Sequence, residues 1–144
     1  MIYSYDKFLA THDFNKSASE RGGSPILCKG QVFKTVAIKD SLLGVANHHY
    51  LTFIDLRNNA QTLNFKINKE CRTFSIVNEF SAFYGCGDGE VGLIDRRVTE
   101  KRIWSNSEYH KGNRIYDVCR VGDIVLTADT AGTVAGWQPL NKKA

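Results

Sequence analysis

No Cys-x-x-Cys pair, no Gly-x-Ser-x-Gly elbow and no apolar run long enough to span a bilayer occur in these 144 residues, and each absence removes a class of function. The four cysteines, Cys28, Cys71, Cys86 and Cys119, are scattered, so four buried thiols are expected rather than a zinc site. His12, His48, His49 and His110 fall in turns or at strand ends, and His48-His49 lacks a third ligand nearby, so no metal is expected. A hydrolase needs nucleophile, base and orienting acid in one pocket, and no motif supplies them; neither catalytic residues nor a cofactor are expected. Gly85-x-Gly87-x-Gly89 follows a strand but opens another strand, which is the wrong context for a phosphate loop. Asp88 and Glu90, around one turn, read as turn and strand-start residues and not as an acid/base pair. The start, Met1-Ile2-Tyr3-Ser4-Tyr5-Asp6, is unlike a secretory leader, so the expected location is cytoplasmic or nuclear, away from membranes. Helical periodicity is missing too: apolar residues recur at period two.

What is present is a hairpin that repeats. Hydrophobic residues make up 42% of the chain and charged residues 24%, enough apolar content for a packed core in a folded domain. The net charge of +4 permits an acidic partner without demanding one. Residues 82–86 form a short apolar strand; Gly87-Asp88-Gly89 supplies the residues that tolerate positive φ in a tight turn; Val91, Leu93 and Asp95 then alternate along a second strand. The same grammar occurs at 42–57 around Asn47-His48-His49, and at 124–138 around Asp129-Thr130-Ala131-Gly132. The dipeptides Ile54-Asp55, Ile94-Asp95 and Trp137-Gln138 lie 40 and 43 residues apart, the length of one four-stranded propeller blade.

On these residues the chain resembles the WD-repeat family, whose repeat closes a strand with Trp-Asp after a Gly-rich turn. The resemblance covers residues 31–138, in repeats at about 31–67, 71–107 and 113–138, and is faint over 1–30, where His12-Asp13 stands in place of Trp-Asp. Ile replaces Trp at two of the three matching positions, Gln replaces Asp at the third, and no Gly-His opens a repeat. In the family a Trp, a strand hydroxyl, a turn Asp and a His form a hydrogen-bonded set within each blade. Carried over, Asp88 serves blade two without a Trp, and blade three offers Trp137, Thr127 and His110 with Ala131 at the turn position, so a complete set is not expected. Asp55, Asp88, Asp95 and Trp137 are the repeat's structural positions.

The expected fold is all-β: a partial WD-like β-propeller of about three four-stranded antiparallel blades. Residues 1–30 hold a partial first blade and loop, with one strand at 5–14, a loop at 15–24 and an outer strand at 25–28. The strand count runs two, four, four, three. Rings of this kind close with about four to eight blades, so closure is expected by self-association or by a partner chain. In a homodimer the strand near Ile26 would complete the last blade of the other copy.

The expected role is a protein–protein interaction scaffold, a subunit of a larger multiprotein complex. Arg57 and Arg97 each follow an Asp by two residues. That resembles the Trp-Asp-x-Arg form of WD-repeat substrate receptors in cullin-RING ubiquitin ligases, where the Arg contacts the adaptor; an Asp–Arg pair on the blade surface accounts for the same residues. Arg96, Arg97, Lys101 and Arg102, with Tyr109, His110 and Lys111 in the next loop, compose a basic, aromatic stretch suited to RNA or an acidic peptide, or to plain solvation; Lys142 and Lys143 extend it.

Overall fold

A computed structural model describes residues 2–5, 8–11, 26–27, 31–39, 41–57, 60–98 and 102–138. Among the described residues, fourteen strands fall into four antiparallel sheets in which chain neighbours are sheet neighbours. The first sheet holds β1 (Ile2–Tyr5), β2 (Phe8–Thr11) and β3 (Ile26–Leu27). Blade 1 holds β4 (Val32–Lys39), β5 (Leu42–Asn47), β6 (Tyr50–Asp55) and β7 (Ala60–Lys66). Blade 2 holds β8 (Cys71–Ile76), β9 (Ser81–Cys86), β10 (Val91–Asp95) and β11 (Trp104–Asn106). Blade 3 holds β12 (Ile115–Val121), β13 (Ile124–Asp129) and β14 (Val134–Trp137). The first strands β4, β8 and β12 pack side by side, and β1 meets β4, so the sheets fan out from a shared inner edge. This is a partial propeller.

The hairpin turns explain the meander. Gly89 has φ +86° and accepts the reversal between β9 and β10, where Cys86 N–H donates to Glu90 O at 2.8 Å. Its missing Cβ matters as well, because a methyl there would sit 2.9 Å from Asn113 O in the loop before blade 3. The Asp129 carboxylate closes the last turn by accepting from Ala131 N and Thr133 N, both at 2.9 Å.

Period-two alternation then sorts each blade into two apolar faces. Ala46, Leu51, Phe53, Phe65 and Ile67 of blade 1 pack against Phe74, Ala82, Tyr84 and Ile94 of blade 2. Phe83, Val91 and Leu93, on the other face of blade 2, pack against Ile115, Val118, Val125 and Trp137 of blade 3. Gly85 lets the sheets close: a Cβ on it would fall 2.4 Å from Ile115 Cγ2. Leu43, Val45 and Ile54 form the remaining buried face of blade 1. Aligned by register, Leu43–Ile54, Ala82–Ile94 and Val125–Trp137 are the same cross-strand pair in three blades.

Three expectations need correction. The first sheet has three strands, because Tyr5 pairs with Phe8 and splits the expected single strand at 5–14 into a hairpin; no Gly or Asn marks that reversal in the sequence. The strand at Ile26, expected as an outer strand free to complete another copy's last blade, pairs with β2 of its own sheet. Cys119 is exposed while Cys71 and Cys86 are buried: on β12 it sits opposite Leu126, on the face of blade 3 that no described residue covers. Burial pushes the Cys71 and Cys86 thiols up. His12, Asp13, Cys28, Lys101, Lys142 and Lys143 lie outside the described residues.

Candidate functional site

The inner edge is held by a polar clasp. Lys34 Nζ on β4 donates to Asp117 Oδ1 on β12 at 2.6 Å and to Val118 O at 3.3 Å, and Thr73 Oγ1 on β8 donates to the same Asp117 oxygen at 3.0 Å. One carboxylate thus ties three blades, and although its burial works against ionisation, the Lys34 and Thr73 bonds hold the Asp117 carboxyl below its ordinary range.

Inside blade 3 lies a set that the sequence reading left incomplete. His110, from the β11–β12 loop, is 1% exposed and places Nδ1 2.9 Å from Asp129 Oδ2 and Nε2 2.8 Å from Thr127 Oγ1. Trp137 Nε1 donates to the same Thr127 oxygen at 2.7 Å. The indole N–H can only donate, so the Thr127 hydroxyl accepts from it and gives its own hydrogen to Nε2, which leaves Nδ1–H to donate to Asp129. The acid is Asp129, at the end of β13, and not the residue at Ala131; all four members are present in this blade. Burial works to raise the Asp129 pKa, but bonds from His110, Thr133 N and Ala131 N outweigh it and hold the carboxyl below its ordinary value. With both ring nitrogens spent inside the blade, His110 presents none to a partner.

Blade 2 buries a different set at the corresponding place. Glu90 is 3% exposed; Tyr84 Oη donates to its Oε1 at 2.7 Å, Lys69 Nζ stands 2.9 Å from Oε2, and Arg102 Nη1 also bonds Oε1. Lys69 reaches Asp88 as well, at 2.7 Å, while Asp88 Oδ1 accepts from Glu90 N. The turn residue is Asp88, as expected, whereas Glu90 is the hub of a buried network that its strand-start position gave no sign of. Burial pushes the Tyr84 phenol up. In blade 1, Asn47 Nδ2 donates to Thr52 Oγ1 at 3.3 Å and Thr52 to Asn64 Oδ1 at 2.8 Å.

Among the sequence-selected cations, Arg57 and Arg97 share one geometry on consecutive blades. Arg57 Nε lies 3.0 Å from Asp55 Oδ1 and its Nη2 2.5 Å from Oδ2; the Arg97 distances to Asp95 are 2.9 and 2.5 Å. Each aspartate also accepts the backbone N–H of its arginine, so a turn and a planar fork are fixed together. The side-chain and backbone bonds from Arg57 draw the Asp55 carboxyl down to about 2. Both guanidinium groups remain mostly exposed.

Arg96 and Arg97 flank the exposed Phe80 ring, with Cζ 5.5 and 4.3 Å from its centroid. The basic stretch is not gathered into one patch. Arg96 and Arg97 follow β10 at one end of the sheet, Arg102 is drawn inward to Glu90, and Tyr109 and Lys111 stand at the other end beside Asn106, Asn113 and Thr133 around an open groove. The exposed Tyr109 ring packs edge-on to Trp137, 5.6 Å away. Among the described residues no three His, Cys, Asp or Glu side chains cluster.

The remaining surface is one that no single residue announced. The outer face of blade 3 carries Val121 opposite Ile124, Cys119 and Gly136 opposite Leu126, and Val134 opposite Ala128. Val121 is 59% exposed and Val134 63%. The equivalent face of blade 2 is buried.

No family model and no curated protein sequence matches the chain. Solved structures do match. The chain is similar to one in the crystal structure of a mitotic checkpoint complex, with a TM-score of 0.79 and 12% identity over 95% of this chain and 42% of that one. It is similar to the structure of U3-55K, with a TM-score of 0.71 and 15% identity over 92% of this chain and 46% of that one. It is also similar to the computationally designed Ika4 protein, with a TM-score of 0.71 and 10% identity over 95% and 88% of the two chains. At these identities the likeness is one of fold. The chain spans less than half the length of the first two.

Proposed function

We propose that this chain is a WD-like protein–protein interaction scaffold, a propeller subunit working within a larger assembly. The observation that carries this reading is the outer face of blade 3, where Val121, Ile124 and Val134 stand exposed on a sheet whose counterparts in blades 1 and 2 are buried against a neighbouring blade. A contiguous apolar sheet face is a binding surface or an aggregation liability. The neighbour in the mitotic checkpoint complex supports the reading, being itself part of a protein assembly. Arg57 and Arg97 offer a second contact, since Asp55 and Asp95 hold two exposed guanidinium forks at equivalent stations of consecutive blades.

Affinity isolation of the tagged chain, followed by native mass measurement, tests the reading. We expect stoichiometric co-isolation with protein partners, lost in Ile124→Lys/Val134→Lys and weakened in Arg57→Ala/Arg97→Ala. A chain that runs alone as a stable monomer, or an assembly indifferent to Ile124→Lys/Val134→Lys, refutes it.

A further inference from the structure

We propose that Cys71 and Cys86 are a latent dithiol that closes into a disulfide across the β8–β9 hairpin, with a low-molecular-weight disulfide such as oxidised glutathione as the oxidant. The proposal is independent of the scaffold reading and concerns the hairpin on which blade 1 meets blade 2.

The pairing is set by register. Cys71 opens β8, Cys86 ends β9, and the two are direct cross-strand partners. A bulge between Cys71 and Thr73 brings them opposite each other; in an unbroken ladder Cys86 would face Arg72. Neither amide is spent on the other cysteine. Cys71 N donates to His48 O at 2.9 Å and Cys86 N to Glu90 O at 2.8 Å, while the bond joining the strands beside them runs from Gly87 N to Glu70 O at 2.8 Å. That is the pattern of a non-hydrogen-bonded antiparallel pair, whose Cα atoms stand only about 4.5 Å apart with their side chains at closest approach. A disulfide spans Cα separations of about 4.4–6.8 Å, a window that includes such a pair.

The side chains also share a face. Cys86 alternates with Ala82 and Tyr84 along β9, and Cys71 packs with them in the buried cluster between blades 1 and 2. The Cys71 sulfur acts on the Cys86 thiol electrostatically, in keeping with a close approach. A bond here would close residues 71–86 into a covalent loop at the point where His48 O of the blade 1 turn accepts from Cys71 N.

The step balances as thiol–disulfide exchange. One cysteine thiolate attacks a glutathione sulfur and expels a glutathione thiolate; the second cysteine thiolate attacks the sulfur now bound to the first and expels the other glutathione. The two cysteines give up two electrons and two protons, and one oxidised glutathione becomes two reduced molecules. Both cysteines are 0% exposed and burial keeps their thiols protonated, so exchange waits on an opening of the face between blades 1 and 2.

The test is to equilibrate the intact chain with oxidised glutathione in dilute urea, which favours that opening, then alkylate the remaining thiols and map the peptides by mass. We expect Cys71 and Cys86 in one bridged pair, formed more slowly without urea, and a Tm about 10 °C above that of the reduced chain, as closing a loop of this length gives. Cys119→Ser should bridge like the parent, and Cys71→Ser should gain no Tm on oxidation. Cys71 and Cys86 both still alkylated at equilibrium, a bridge to Cys28 or Cys119 in place of this one, or a bridged chain no more stable than the reduced one overturns the proposal and leaves two inert core thiols.

Discussion

Replacing Thr127 by Val isolates the polar set of blade 3, because the two side chains have nearly the same shape and only the hydroxyl is lost. Blade 1 supplies the steric control: Val45, the fourth residue of β5, is fully buried at the station Thr127 occupies in β13. The change strands two groups. His110 Nε2, on a ring 1% exposed, loses its hydroxyl partner, at about 1–3 kcal/mol; Trp137 Nε1, on a half-buried ring, costs roughly 1 kcal/mol more. Together that is about 2–4 kcal/mol, a large share of the roughly 5–15 kcal/mol that holds a domain folded. At about 4 °C per kcal/mol for a chain of this size, Tm should fall by roughly 8–16 °C. Urea and thermal unfolding followed by tryptophan emission measure the free energy and the Tm, with His110→Ala and the double variant closing a cycle whose coupling should exceed about 0.5 kcal/mol. A Thr127→Val midpoint within about 0.5 kcal/mol of the parent, or strict additivity with His110→Ala, would refute the reasoning.

Acid should loosen the blades: Asp55, Asp88, Glu90, Asp95, Asp117 and Asp129 all have lowered folded pKa values, so their stabilisation is complete above the ordinary carboxyl values of 3.8 and 4.5 and is lost as pH falls through the folded ones. Unfolding midpoints measured from pH 7 to pH 2 should be flat at first and then drop; a midpoint that rises on acidification contradicts this. Lys34→Met should cost about 0.5–1 kcal/mol, since Lys34 and Asp117 are partly exposed, and the deficit should shrink in 1 M salt; a salt-independent loss would point to packing instead. Gly85→Ala should destabilise by about 2 kcal/mol or more, because its methyl meets Ile115 on a buried strand; an unchanged urea midpoint would mean the blades pack less closely than described. Arg97→Ala should shift stability by less than about 1 kcal/mol in the same assay, as an exposed pair does; a larger loss would make the Asp95 fork a structural element of the blade.

The fold was legible because hairpin chemistry is local. Gly87-Asp88-Gly89 and the alternation after it are written in consecutive residues, and the 40-residue recurrence of Ile-Asp counts blades without any knowledge of contacts. Where a reversal carries only an Asp-Lys dipeptide and no Gly or Asn, as between Tyr5 and Phe8, the same reasoning merges two strands. Exposure of Cys119 was illegible for another reason: alternation says which residues share a face but not whether anything covers it. The exposed forks of Arg57 and Arg97 could be located from spacing, while the Cys71–Cys86 pair could not, since a bulge between Cys71 and Thr73 shifts the register that sets them opposite each other.

The three blades share a period but not the polar residues they bury. The three blades bury polar groups of different chemistry: Asn47, Thr52 and Asn64 on the strands of blade 1, Tyr84, Glu90 and Arg102 in blade 2, and in blade 3 Asp129, Thr127 and Trp137 with His110 from the loop before it. A buried hydrogen-bonded set is costly when half made and stable when complete, so members must change together rather than singly. Gly92 shows the coupling: a Cβ there would lie 2.5 Å from the Tyr84 ring, so the tyrosine that serves Glu90 needs glycine across the hairpin, while Ala135 at the matching station faces the smaller Thr127. Backbone length and turns are constrained by every blade at once and so persist; the residues that lock each blade answer only to one another.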